Sequence, residues 1–279
     1  MGVNRAPGSA GIDEARMQGD RLARTPQFEW LARAGLVARG IVYAVIGVLA
    51  LKLALGDGGK ATNQQGALRT IADLPFGKTL LVLVAIGLAG YAIWRLFRAA
   101  LGHGPEQHDS GSDRIAALAS GIAYAILCVT AVKILAGANT GSGTPKEAAG
   151  GVLDWTGGSL LVALAGAVLI GVAGYQAYKG IKKKFLEDSK TEQMSHNVRR
   201  AFTALGVFGH IARAVVFTLI GYGLIRAAVD YDPDKAVGLD GALLKLANAS
   251  YGPWVLGLVA AGLVGFAAYS VADARYRRV

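Results

Sequence analysis

The chain has 279 residues, 53% of them apolar and 17% charged, with a mean hydropathy of +0.40 and a formal net charge of +10. Soluble domains carry about 25% charged residues, and folding this chain in water would expose apolar patches that soluble monomers avoid, so composition excludes a soluble globular class. The cation excess sits in particular loops, without the basic face or groove-reading residues of a nucleic-acid binder, and the single cysteine excludes an internal disulfide and a multi-cysteine metal site.

Residues 1–27 carry charges throughout and no apolar core, so they read as a flexible cytoplasmic tail and not as a cleavable signal. A membrane helix needs about 20 mostly apolar residues to cross roughly 30 Å of hydrocarbon. Six segments meet that need, at about 36–55, 79–99, 115–136, 159–178, 207–228 and 253–272. Cys128 lies in the third, where a thiol acts as a small hydrophobe. All 19 acidic residues lie outside these apolar stretches.

Most of the 29 lysines and arginines fall on one side if the tail, the loops after spans two and four and the C-terminal end share it. Lys52, Lys60, Arg69, Lys78, Lys133, Lys146, Arg226, Lys235 and Lys245 remain for the other. Basic residues concentrate on the cytoplasmic side, so both termini are expected there, in a multi-pass topology.

The spans are internally repetitive. First helices align as RGIVYAVIGVLALK (39–52), SGIAYAILCVTAVK (120–133) and RAVVFTLIGYGLIR (213–226). Second helices share a Gly-x-x-Gly-aromatic core: Gly87, Gly90, Tyr91; Gly171, Gly174, Tyr175; and Gly262, Gly265, Phe266. Between them, GALRTIADLPFG and GALLKLANASYG predict short outer interfacial helices, with Leu68, Ile71 and Leu74 on one face, and Leu243, Leu246 and Ala247 on one face. Thr144, Pro145 and Glu147 resemble a capping box with proline at the first helical position, and Asp240 is the expected N-cap of the third outer helix. The units are then repeat 1 over 28–102, a cytoplasmic linker over 103–113, repeat 2 over 114–184, a second linker over 185–200 and repeat 3 over 201–279. Each repeat has two spans, so all copies cross in the same sense and are related by an axis along the membrane normal. The expected fold is an all-α bundle of six transmembrane helices around a pseudo-threefold axis.

The RGIVYAVIG-type first helix, the Gly-x-x-Gly-aromatic second helix and the tandem triplication together resemble domain of unknown function 1206, a family of bacterial membrane proteins, over residues 28–278. The resemblance implies a bacterial cell membrane and supplies no catalytic residues. Ser120 departs from it where the other copies have arginine, so a site needing three equivalent cations is incomplete there.

Arg39 and Arg213 stand inside first helices, and about 20 Å of helix separates each from Lys52 or Arg226. They either snorkel to the headgroups or bind an anion or lipid phosphate near the axis. Lys182, Lys183 and Lys184 form a positive anchor that attracts anionic headgroups. Gly87, Gly90, Gly171, Gly174, Gly262 and Gly265 are read as helix-packing positions, Tyr91, Tyr175 and Phe266 as packing aromatics, and Trp94, Tyr178 and Tyr269 as an inner aromatic belt. A lone His210 argues against haem, and His103 and His108 match no zinc spacing. Asp230, Asp232 and Asp234 alternate like calcium ligands but lack the glycine and distal glutamate of an EF-hand loop.

No nucleophile elbow, phosphate loop, metalloprotease motif or paired intramembrane carboxylates can be found, so no catalytic residue, metal or cofactor is assigned. The sequence reads as a non-enzymatic structural or accessory module, with membrane lipids and a membrane partner or self-association as its contacts. The alternative is a channel or carrier for a small solute or anion near Arg39 and Arg213. An intramembrane enzyme is the third class.

Overall fold

The computed structural model describes residues 26–101, 111–138 and 144–278. The tail up to residue 25, with His103 and His108, lies outside these. Six long helices carry the apolar stretches: α1 (Pro26–Leu55), α3 (Gly77–Leu101), α4 (Gly111–Leu135), α6 (Gly158–Ile181), α7 (His196–Val229) and α9 (Gly252–Tyr276). All are long and apolar enough to span a membrane. Three nine-residue helices, α2 (Gln64–Ala72), α5 (Pro145–Leu153) and α8 (Leu239–Ala247), follow the first helix of each repeat on the face opposite the termini.

Local chemistry sets the ends of the outer helices. Asn63 caps α2 by accepting from the Gly66 amide at 2.9 Å. Thr144 and Glu147 form the reciprocal capping box at the start of α5. Two expectations shift. Gly238, not Asp240, precedes α8; Asp240 lies inside its first turn, facing the Asn63 amide at 3.5 Å. Helix α2 buries Leu68 and Ile71 but ends before Leu74, which is exposed.

The first helices of the outer repeats begin well before their apolar stretches, at Pro26 for α1 and His196 for α7. Arg39 and Arg213 therefore sit within the bundle and not at its rim. The spans pack side by side in the order α4–α3–α1–α9–α7–α6. All three junctions between successive repeats are present (α3 on α4, α6 on α7 and α9 on α1), and so are the hairpins of repeats 1 and 3. Among the described residues α4 and α6 of repeat 2 do not pack along one another as the hairpins of repeats 1 and 3 do, so a threefold arrangement is not confirmed.

Equivalent residues make the equivalent contacts. Gly35 of α1 lies against the backbone of Tyr91, and Gly209 of α7 against that of Phe266. A Cβ on Gly87 would approach Ala38 at 2.7 Å, and one on Gly262 would overlap Ala212. Along the inter-repeat seams, Gly47 abuts the Ala260 carbonyl, while Cys128, its counterpart in repeat 2, directs Sγ to the Ala85 carbonyl at 3.5 Å. These close approaches are the small-residue packing that a lipid solvent favours.

The segment joining repeats 2 and 3 folds into short 3₁₀ turns, Lys184–Leu186 and Thr191–Gln193. It buries Phe185, Ser189 and Met194 beneath the terminal face. Its backbone pairs with the end of α9: the Lys190 amide donates to Tyr276 at 2.7 Å, and the Arg278 amide to Asp188 at 3.0 Å. The expected linker is therefore a docked connector.

Candidate functional site

Charged side chains converge between the connector and the terminal ends of α1, α3, α7 and α9. Burying a guanidinium is costly unless it is paired and hydrogen-bonded, and Arg39 is both. Its Nε donates to Ser270 Oγ at 3.2 Å and one Nη to the Tyr91 hydroxyl at 3.1 Å. The other Nη lies 3.8 Å from the Asp273 carboxylate, and the guanidinium sits 5.0 Å from the Phe266 ring centre. With 12% of its side chain exposed, Arg39 is held inside the bundle by packing on both sides of α1.

Asp273 is wholly buried within α9. It accepts from Arg277 at 3.2 Å and faces the Ser189 hydroxyl at 3.2 Å. That hydroxyl has one proton to share between Asp273 and the Phe185 carbonyl, also 3.2 Å away. Asp188, on the connector, is held by Lys179 at 2.8 Å and Arg277 at 3.3 Å. Burial raises the Asp188 pKa, but Arg277 and Lys179 outweigh it and pull the group down to about 2. The expectation that every carboxylate lies outside the spans fails at Asp273. It is one residue past the uncharged stretch, and α9 continues through it.

Arg213 is half-buried and differently served. With the Gln176 amide turned so that its oxygen faces the guanidinium, that oxygen accepts from both Nη atoms, at 2.9 and 3.1 Å. The guanidinium stacks on Phe266, Phe217 and Tyr43 at 4.4, 5.1 and 5.4 Å. Among the described residues no carboxylate pairs with it, and its buried Nε has no acceptor. Arg39 and Arg213 are thus brought onto the same ring, Phe266. His210 lies beside them, its Nδ1 2.7 Å from the Gly206 carbonyl and its ring stacked on Phe185. A carbonyl partner requires that Nδ1 carry the proton.

The other expected residues distribute unevenly. Lys182, Lys183 and Lys184 are exposed at the end of α6 and do not join the cluster; Lys184 pairs with Glu187 at 2.9 Å. Lys183 instead lines an open groove with His196, Arg199 and Arg200 above Val207 and Phe208. Trp94 and Tyr269 are core residues rather than a belt. Arg95, Arg98 and Arg277 surround Trp94 at 5.8, 4.9 and 5.9 Å, while Tyr178 is exposed. Gly87, Gly90 and Gly262 lie in tight crossings and Gly265 in ordinary contact, but a Cβ at Gly171 or Gly174 would meet nothing within 4 Å. Among the described residues, then, no side chain or backbone packs against those two positions. The Asp230, Asp232 and Asp234 loop is neutralised by cations: Asp230 by Arg226 and Lys235, Asp234 by Lys146. Among the described residues no three His, Cys, Asp or Glu side chains converge on a metal position.

Sequence reasoning missed Asp188, Asp273, Ser189 and Gln176. A polar residue at the end of an apolar helix was the available signal for Asp273. Gln176, inside an otherwise apolar run, carried the same signal.

The family model described as Domain of Unknown Function (DUF1206) matches three times, over residues 34–109, 115–183 and 208–277. A Bacillus subtilis (strain 168) protein described as "Uncharacterized protein YxxB" is 34% identical over 257 residues, covering 91% of this chain and 93% of that one. No solved structure matches the chain.

Proposed function

The chain belongs to the family described as Domain of Unknown Function 1206, and from that premise we propose a non-enzymatic structural or accessory module of a bacterial cell membrane, with both termini cytoplasmic, that packs with lipid or a membrane partner. One observation carries the reading: the interior around Arg39 and Arg213 is filled by Phe266, Tyr43 and Tyr91, and Phe185 closes it from the terminal face. A filled core serves packing and not passage. The distribution of lysine and arginine supports the orientation, and the exposed Lys182, Lys183 and Lys184 suit anionic headgroups. Native mass spectrometry from mild detergent tests the reading. Stoichiometric acidic phospholipid or a membrane protein is the expected companion, and a chain that releases bare from native membranes overturns it.

A second reading, a carrier or channel for a small anion, is favoured by Arg213 alone, whose buried Nε lacks an acceptor and whose charge lacks a carboxylate among the described residues. Chloride and phosphate flux in proteoliposomes decides it. Flux abolished by Arg213→Ala with the fold intact supports a carrier, and flux absent or unchanged removes it.

A further inference from the structure

Several cations of the terminal face are matched to carboxylates: Lys179 to Asp188, Lys184 to Glu187 and Arg278 to Glu192. Lys183, Arg199 and Arg200 are not. Among the described residues no carboxylate pairs with any of the three. Together with His196 they gather at one open groove of about 580 Å³, between the end of α6 and the first half of α7. That volume falls within the roughly 300–1,000 Å³ of small-molecule sites. Away from the cations the lining becomes apolar, with Val207, Phe208 and Ile211, and the last two are 41% and 36% exposed.

The register of α7 makes this one continuous surface. Arg199, Arg200, Thr203, Val207, Phe208 and Ile211 recur at steps of three and four, which places them along one side of the helix. About 16 Å of helix separates Arg200 from Ile211, whereas a headgroup layer is only about 5–7 Å thick. The cationic end therefore stands at the headgroups while the apolar end reaches into the hydrocarbon. At the same register in repeat 1, Thr203 and Val207 correspond to Glu29 and Arg33, which pair with each other and leave no such surface. Lys183 adds an independent sign. It turns the chain out of α6 with φ 56 and ψ 28, a left-handed conformation that favours glycine. A lysine there strains the turn and makes no ion pair among the described residues; what it contributes is a cation over the groove.

We propose that this groove binds one anionic phospholipid, its phosphate held by Lys183, Arg199 and Arg200 and an acyl chain laid along Val207, Phe208 and Ile211. The proposal rests on the lipid-packing reading above and names the lipid class and its place. Complementarity selects the occupant: ammonium and guanidinium donors make strong charge-assisted contacts with phosphate oxygens, and the apolar half gains only from a ligand that brings hydrocarbon. A free anion leaves that half uncovered.

The test titrates the full-length chain in detergent with phosphatidylglycerol, with phosphatidylcholine as the zwitterionic reference, and resolves lipid-bound species by native mass spectrometry. The first phosphatidylglycerol is expected to bind about tenfold or more tighter than phosphatidylcholine. Lys183→Gly with Arg200→Gln should abolish that preference without lowering the thermal transition, because glycine suits the turn and Arg200 is exposed. Lys183→Arg with Arg200→Lys should retain it. Lys182→Gln with Lys184→Gln removes the same formal charge outside the groove and should leave the preference in place. Excess inorganic phosphate should not displace the lipid. Equal binding of the two lipids overturns the proposal, as does equal weakening by the two charge-removing pairs, which would mean diffuse surface attraction. Displacement by phosphate also overturns it and assigns the groove to a free anion. The accessory-module reading is tested apart from these, by whether lipid or a membrane protein leaves native membranes with the unaltered chain.

Discussion

Asp273 is the residue on which the terminal-face cluster turns. It balances Arg39 and Arg277 where water does not reach, and removing one member of a buried ion cluster leaves uncompensated charge worth about 3–5 kcal/mol. Asp273→Asn is expected to lower stability by about 3 kcal/mol in detergent unfolding, with Arg39→Met in the same chain restoring part of the loss. Asp188 predicts a pH dependence. Its folded value of about 2 lies below the ordinary 3.8, so its contribution is complete above about pH 4 and is lost as pH falls through 2. Pepsin cleavage within residues 184–195 should accelerate over that interval, and Asp188→Asn should remove the acceleration. The sequence made Arg39 and Arg213 legible, because a cation inside an apolar run stands out against its neighbours. It hid their partners, because Ser270 and Asp273 are more than two hundred positions from Arg39 and nothing local marks the pairing.

Among elements, the spans were readable because hydropathy and length are summed over many residues, and the outer helices because their caps are local. The connector was not, since its burial depends on a space that only folding creates. Phe185 fits there because Gly206 has no Cβ and because Phe202, His210 and Tyr269 wall the ring in. Gly206→Ala should cost about 1–3 kcal/mol, together with new protease sensitivity in the connector. The repeats give a second, internally controlled comparison. Gly87→Ala and Gly262→Ala should each destabilise by a similar 1–3 kcal/mol, whereas Gly171→Ala should leave the thermal transition of the isolated chain in place. Matching losses at all three glycines would mean that α4 and α6 close in solution.

At the scale of the whole molecule, an all-α six-span protein with three tandem units was legible in the sequence, and the unequal packing within its repeats was not. Averaging over repeats predicts symmetry, and a hydropathy pattern does not record which helices touch. The orientation is checked directly: alkaline phosphatase fused after residue 279 should be inactive and a fluorescent protein there bright, while phosphatase inserted after Gly58 should be active. The seam between α1 and α9 carries a further consequence, for biogenesis. Arg39 lies in α1 and its Tyr91 hydroxyl partner in α3, but Ser270 and the Asp273 carboxylate belong to α9. Through the synthesis of more than two hundred intervening residues the nascent α1 carries that cation without its carboxylate, so the charge cluster closes only once α9 is in place.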